Sequence, residues 1–268
     1  MRPNRLKVAF DRGEVAVNAW LSSDSRYAAE ALSHAGYDSI TVDLQHGMFG
    51  MDSAIGLLQA VSAGPAMPMA RCAALEPAEI GKLLDAGAYA IVCPSIDTPA
   101  QAAAFVAACR YPPTGTRSFG PSRGLLYGGS DYVVRADETV MTWAMIESAA
   151  ALAVVDEIVA TPGLDGVYVG PNDLALSLGA TAGLTEFPSV VEAAITRVLT
   201  AAHAAGRYAG IFCADAMAAR RLALLGWDLV TPGNDIGNLK RSAAHDVRIV
   251  RHGGDEDGVT DHGATGGY

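Results

Sequence analysis

The sequence predicts a single-domain α/β protein, an eight-stranded parallel (β/α)8 TIM barrel. Three observations carry that prediction. Short β-branched or apolar runs alternate with longer amphipathic stretches. Glycine follows the amphipathic stretch at Ala35-Gly36, Ala63-Gly64, Ala86-Gly87, Ala205-Gly206 and Leu225-Gly226, where a left-handed helix terminus belongs. Eight strand-like runs within 268 residues suit one closed barrel better than an open sheet.

In order, the expected strands are Val15–Trp20, Ser39–Asp43, Pro68–Arg71, Tyr89–Cys93, Met141–Glu147, Gly166–Val169, Tyr208–Phe212 and Asp228–Val230. Between them the apolar spacing predicts helices over Arg26–Ala35, Ser53–Ala63, Pro77–Ala86, Pro99–Cys109, Ala149–Ala160, Pro188–Ala205 and Ala214–Leu225. The segment from Tyr111 to Asp137 is long for a connection, carries Arg117, Arg123 and Arg135, and includes the Gly-rich piece Gly124–Gly129. A loop of that length is expected to act as a lid. The barrel is expected over residues 1–251. The tail 252–268, rich in Gly and Asp, is expected to be disordered, with its histidines solvated.

Composition narrows the function classes. Nineteen Lys plus Arg stand against 29 Asp plus Glu, a net charge of −10, which argues against a nucleic-acid surface. Mean hydropathy is +0.22, but no apolar run is long enough to span a bilayer, and the start lacks a signal-like hydrophobic stretch. A cytoplasmic protein that engages no membrane is the expectation. The four cysteines (72, 93, 109 and 213) form no metal-binding or redox spacing and read as buried thiols. No GxGxxG follows the first strand and no P-loop occurs, so neither a nicotinamide nor a nucleotide triphosphate is expected. None of the three lysines, Lys7, Lys82 and Lys240, ends a strand, which disfavours Schiff-base chemistry, including that of pyridoxal phosphate.

In a (β/α)8 barrel the reactive groups stand at the C-terminal ends of strands. Four strand ends carry ionisable side chains: Asp43 with His46, Arg71, Glu147, and Asp173 after Gly170-Pro171-Asn172. Glu147 and Asp173 come from neighbouring strands, so their carboxylates can converge on a divalent cation. They could also form an acid–base dyad, or belong to helix caps. His46 can serve as a base near neutral pH or be a hydrogen-bonded loop residue. Arg71 can present its fork to a carboxylate or oxyanion, or pair with Asp43.

Several segments together resemble the HpcH/HpaI family of metal-dependent, class II pyruvate aldolases. They are Ile40-Thr-Val-Asp-Leu-Gln-His46, Pro68-Met-Ala-Arg71, Leu83-Leu-Asp-Ala-Gly87, Arg110-Tyr-Pro-Pro-Thr-Gly-Thr-Arg117, Met145-Ile-Glu147 and Gly166-Val-Tyr-Val-Gly-Pro-Asn-Asp-Leu174. The resemblance spans roughly residues 13–240. It implies a lyase that adds the enolate of a 2-oxo acid such as pyruvate to an aldehyde, or cleaves a 4-hydroxy-2-oxo acid. It implies Mg2+, Mn2+ or Co2+ on Glu147 and Asp173, His46 as base, and Arg71 on the enolate oxygen. Gly170, Pro171, Asn172 and Asp173 would meet the substrate carboxylate, with Met145 and Trp20 also against the substrate and Asp43 among the catalytic groups. Asp85 matches an aspartate that raises the histidine's basicity. Because it closes the helix before the fourth strand, it is expected far from His46 of its own chain, so that the pairing would need a homo-oligomer, which in this family is a hexamer built from dimers. Two positions depart from the pattern: Met145 stands where the family has Gln, and Gln45 where it has an acidic residue. A decarboxylase of oxaloacetate type and a non-catalytic barrel that binds 2-oxo acids remain the alternatives.

Overall fold

The computed structural model describes residues 1–183 and 186–253. Eight parallel strands close into a barrel in sequence order. The chain opens with α1 (Arg5–Asp11), then β1 (Ala16–Leu21), α2 (Arg26–Ser33), β2 (Ser39–Asp43), α3 (Met51–Ala63), β3 (Met67–Arg71), α4 (Pro77–Asp85), β4 (Ala90–Cys93) and α5 (Pro99–Cys109). It continues through α6 (Ser122–Gly128), α7 (Tyr132–Thr139), β5 (Met141–Ile146), α8 (Ala149–Ala153), α9 (Val155–Val159), β6 (Gly166–Val169) and α10 (Pro171–Ser177). The last elements are α11 (Ser189–Ala204), β7 (Tyr208–Cys213), α12 (Ala216–Leu224), β8 (Leu229–Pro232) and α13 (Asp235–His252). Closure is made by β8 on β1, with Ala16 opposite Leu229 and Val17 opposite Val230. Among the described residues no helix is long and apolar enough to cross a membrane.

Strand alternation divides the barrel into two cores. Outward residues such as Leu21, Ile40, Val42, Ile91, Ile146, Val167 and Ile211 bury against the helix layer. Inward residues such as Trp20, Met67, Met69, Val92, Trp143, Met145 and Tyr168 fill the barrel. Part of that interior is polar and internally satisfied. The Asn18 amide donates to Thr231 Oγ1 at 3.0 Å, Tyr168 donates to the same oxygen at 2.7 Å, and Ser39 and Thr41 donate to Asn18 Oδ1 at 2.8 and 3.2 Å.

Four elements differ from the sequence reading. Helix α1 has too short an amphipathic pattern to stand out, yet it seals the N-terminal end of the barrel with Leu6 and Phe10. The Phe10 ring lies 5.9 Å from Trp143 and 4.6 Å from Tyr208. The expected lid over Tyr111–Asp137 is instead a helical excursion, α6 and most of α7, with its own small core of Tyr111, Tyr132 and Ala136. Its glycines serve close packing: a Cβ on Gly124 or Gly128 would come within 2.8 or 2.4 Å of the Tyr132 side chain. The expected helix over Ala149–Ala160 is broken at Val154 into α8 and α9. Helix α13, polar over most of its surface, was not expected; it covers His252, and the rest of the expected tail, from residue 254, lies outside the described residues.

Phe10→Ala removes an aromatic plug far from the strand ends. It is expected to cost about 3 kcal/mol of stability, read as a lowered urea midpoint, while ligand affinity at the opposite mouth stays unchanged.

Candidate active site

The site begins with strand register. Asp43 ends β2 directly opposite Arg71, which ends β3, and both point inward. Arg71 Nε donates to Asp43 Oδ1 at 2.8 Å and Nη2 to Oδ2 at 2.6 Å, a two-pronged pair. Trp20 Nε1 adds a donor to Oδ2 at 3.0 Å, and the backbone amides of Gln45 and His46 reach Oδ1 at 3.1 and 3.3 Å. Burial alone would raise the pKa of Asp43, but the bonds and charge of Arg71, with those of Trp20 and the backbone, hold it below the usual carboxylate value. The guanidinium also lies 4.9 Å from the centre of the Trp20 ring. Among the described residues its remaining nitrogen, Nη1, meets only the thioether of Met145, at 3.9 Å.

The opposite wall is under-satisfied. Glu147 follows β5 and is 7% exposed. Its Oε1 accepts from the Ser95 amide at 2.7 Å, whereas Oε2 is buried and, among the described residues, has no hydrogen-bond partner. On the neighbouring strand, β6 leads into Gly170, and Pro171 opens α10. A Cβ on Gly170 would sit 2.8 Å from Glu147 Oε2 and 3.1 Å from Met145 Cε, so the close approach requires glycine. Asp173 is exposed in the first turn of α10. Burial raises the pKa of Glu147, and the nearby negative charge of Asp173 adds to the rise. Ser148, not Asp173, is spent on capping: its Oγ accepts from the Ala151 amide at 3.0 Å. The Asn172 side chain instead accepts from the Gly183 amide at 2.8 Å.

A cavity of about 380 Å³ opens at this C-terminal mouth. Of the residues singled out from sequence, Trp20, Asp43, His46, Arg71, Met145, Gly170, Pro171, Asn172 and Asp173 line it. The carboxylate of Glu147 lies beside Gly170. His46 sits exposed on the turn after β2, and among the described residues its ring has no hydrogen-bond partner. Asp85 is elsewhere. It closes α4, pairs with Arg117 at 2.7 Å, and borders a separate cavity of about 280 Å³ with Lys82 and Arg123. Sequence reasoning missed Ser22, Met48, Tyr168, Phe212, Asn234 and Ile236 in the lining. Asn234 was within reach, because Pro232-Gly-Asn-Asp-Ile236 after β8 resembles Gly170-Pro-Asn-Asp-Leu174 after β6. Nothing in the sequence marked Ser95, whose role depends on a left-handed backbone.

Fold and site together define a (β/α)8-barrel protein with a fixed arginine and the carboxylates of Glu147 and Asp173 at its C-terminal mouth. The chain belongs to the HpcH/HpaI aldolase/citrate lyase family, whose pattern matches residues 17–241. It is 40% identical over 248 residues to the hydroxypyruvate/pyruvate aldolase of Rhizorhabdus wittichii, covering 92% of this chain and 99% of that protein. It is 35% identical over 252 residues to a 2-keto-3-deoxy-L-rhamnonate aldolase of Salmonella paratyphi A, covering 92% of each. A solved HpcH/HpaI aldolase/citrate lyase family protein from Burkholderia cenocepacia superposes with a TM-score of 0.86 at 36% identity, over 92% of this chain and 99% of that one.

Asp43→Asn breaks a buried pair and is expected to cost about 3–5 kcal/mol, measured by chemical unfolding at neutral pH. With its folded-state pKa lowered, Asp43 contributes stability that is complete above the ordinary carboxylate range and is lost as pH falls through the lowered value. The wild-type minus variant difference should therefore shrink on acidification. A difference that grows would contradict the depressed pKa.

Proposed function

We propose that the protein is a metal-dependent aldolase. It reversibly adds the enolate of pyruvate, hydroxypyruvate or a related 2-oxo acid to an aldehyde, and in reverse cleaves a 4-hydroxy-2-oxo acid. The observation that carries this reading is an unpartnered carboxylate oxygen, Glu147 Oε2, set against the cavity-lining Gly170, together with an open arginine edge, Arg71 Nη1, on the same cavity. Family membership and the relatives' names support the reaction class.

The donor set fits a divalent cation such as Mg2+, Mn2+ or Co2+. Two mutually repelling carboxylates offer oxygen ligands, and among the described residues no group of three or more His, Cys, Asp or Glu side chains forms a fuller cage. Such a site leaves coordination positions for solvent and substrate. Glu147 and Asp173 would hold the ion, which when bound supplies Lewis acidity to a substrate carbonyl.

The chain's own groups do the rest. First-turn amides at Asn172 and Asp173, unpaired within the helix, favour a carboxylate. Arg71 Nη1, held in aim by Asp43, meets negative charge as it develops on the carbonyl oxygen. Trp20 and Met145 shape the apolar wall against the bound donor. His46, on the rim and free at its ring, removes the proton from C3 of the 2-oxo acid. Among the described residues no lysine lines the cavity.

A homo-oligomer, a hexamer built from dimers, belongs to this proposal. Helix α13 has no buried residue and exposes Leu239 and Val250, and the excursion exposes Phe119, Leu126 and Val134. These apolar faces suit a second copy. Asp85, half-buried and remote from its own chain's His46, would then serve a neighbour's His46 by holding its imidazolium. Four free buried thiols accord with a reducing cytoplasm.

Aldol formation from pyruvate and a small aldehyde is expected to vanish with EDTA and return with Mn2+, Mg2+ or Co2+, followed by product chromatography. Release of pyruvate from oxaloacetate with no aldol product from any aldehyde would replace this reading with a decarboxylase. His46→Ala is expected to slow deuterium exchange at pyruvate C3 at least 100-fold while metal affinity stays close to wild type. Exchange at the wild-type rate would remove His46 from the role. Light scattering of the purified protein should give a mass well above that of one chain.

A further inference from the structure

Ser95 is the one non-glycine residue with a left-handed backbone among the described residues, with φ at 55°. Its neighbours explain how that conformation persists. Pro94 and Ile96 on either side are buried, Ile96 with none of its surface exposed, so the chain is anchored before and after the serine. Strain of this kind survives only where the surroundings over-determine it, and it gathers at functional sites. Here the strained residue turns its backbone N–H onto Glu147 Oε1 at 2.7 Å; its hydroxyl is more distant, at 3.4 Å.

The same loop holds the next residue of the strand end. Ser148 Oγ donates to Asp97 Oδ1, and the Asp97 amide donates to Gln101 Oε1 at 2.9 Å. Glu147 and Ser148 are therefore gripped by consecutive points of the turn between β4 and α5. One carboxylate oxygen is occupied by that grip, and the other is left bare beside Gly170.

We propose that Ser95 is a positioning residue for the metal site: its strained amide fixes the Glu147 carboxylate so that Oε2 alone, beside Gly170, is left free for a cation, with Asp97 bracing the turn. This rests on the metal-binding reading of Glu147 and Asp173. Groups that orient a metal ligand typically change affinity by about 10–100-fold when lost, and that is the scale to look for.

The test titrates Mn2+ into purified full-length variants and follows free Mn2+ by electron paramagnetic resonance, with no substrate and no turnover. Ser95→Gly adopts the same backbone without strain and keeps the amide, so its affinity should stay within about threefold of wild type and its unfolding temperature should not fall. Ser95→Ala keeps the amide and loses the hydroxyl, and should also bind nearly as wild type. Ser95→Val cannot hold a positive φ and should bind at least tenfold more weakly. Asp97→Ala leaves Ser95 intact, covers the case in which the valine variant fails to fold, and should weaken binding about tenfold.

Wild-type affinity in Asp97→Ala or in folded Ser95→Val would overturn the proposal. So would a loss in Ser95→Ala as large as that in Ser95→Val, which would move the effect to the hydroxyl. Absence of Mn2+ binding by the wild type would instead strike the metal reading beneath it.

Discussion

A carboxylate and a guanidinium withdrawn from water at the barrel mouth are the contact on which the site depends. Removing either ion from solvent costs several kcal/mol. The arrangement recovers that cost only because Asp43 receives five donors: two from Arg71, one from Trp20 and two from the backbone of its own turn. A charge so fully satisfied does not move, and neither does its partner. Arg71 therefore reaches the cavity as a fixed cation with one edge uncommitted, facing a thioether that accepts hydrogen bonds weakly. An oxygen arriving there displaces little.

The facing wall inverts that logic. Where Asp43 is saturated, Glu147 is left with a bare buried oxygen and a like charge nearby, and both raise its pKa. Such an arrangement is poor for stability and is tolerated because rigid elements enforce it. Ser95 holds one oxygen from a strained backbone, and the missing side chain of Gly170 leaves room for the other. The two walls differ in electrostatic demand, one closed and one waiting, and the cavity lies between them.

The amount of this legible in the sequence followed the range of the physics. Strands announced themselves because burial on both faces demands apolar runs, and the ionisable residues at or just beyond their ends pointed to Asp43, Arg71, Glu147 and Asp173. Which partner each charge takes was left open, the Arg71–Asp43 pair standing as one of two alternatives. The Arg71–Asp43 pairing depends on strands two and three lying level, a register that no local pattern encodes. The excursion between α5 and β5 was read as a lid from its length, whereas it folds into helices whose glycines permit contact with Tyr132. Ser95 escaped because its backbone is set by tertiary anchoring against its intrinsic preference.

The aim of Arg71 is set deeper than its own layer. Thr231 on β8 accepts from both Asn18 and Tyr168, and Asn18 in turn accepts from Ser39 and Thr41. This network spans β1, β2, β6 and β8 with its donors met, so it fixes side chains without the penalty that an orphaned polar group would carry in the interior. Tyr168, pinned by its hydroxyl, packs its ring 5.5 Å from Trp20; Trp20 bonds Asp43, and Asp43 holds Arg71. Each link is a rigid aromatic or a doubly bonded ion, so a displacement at Thr231 has few soft torsions in which to dissipate before it reaches the guanidinium. The polar barrel interior thus serves as the foundation of the site, which accounts for Asn18 and Thr231 occupying positions that apolar side chains would otherwise fill.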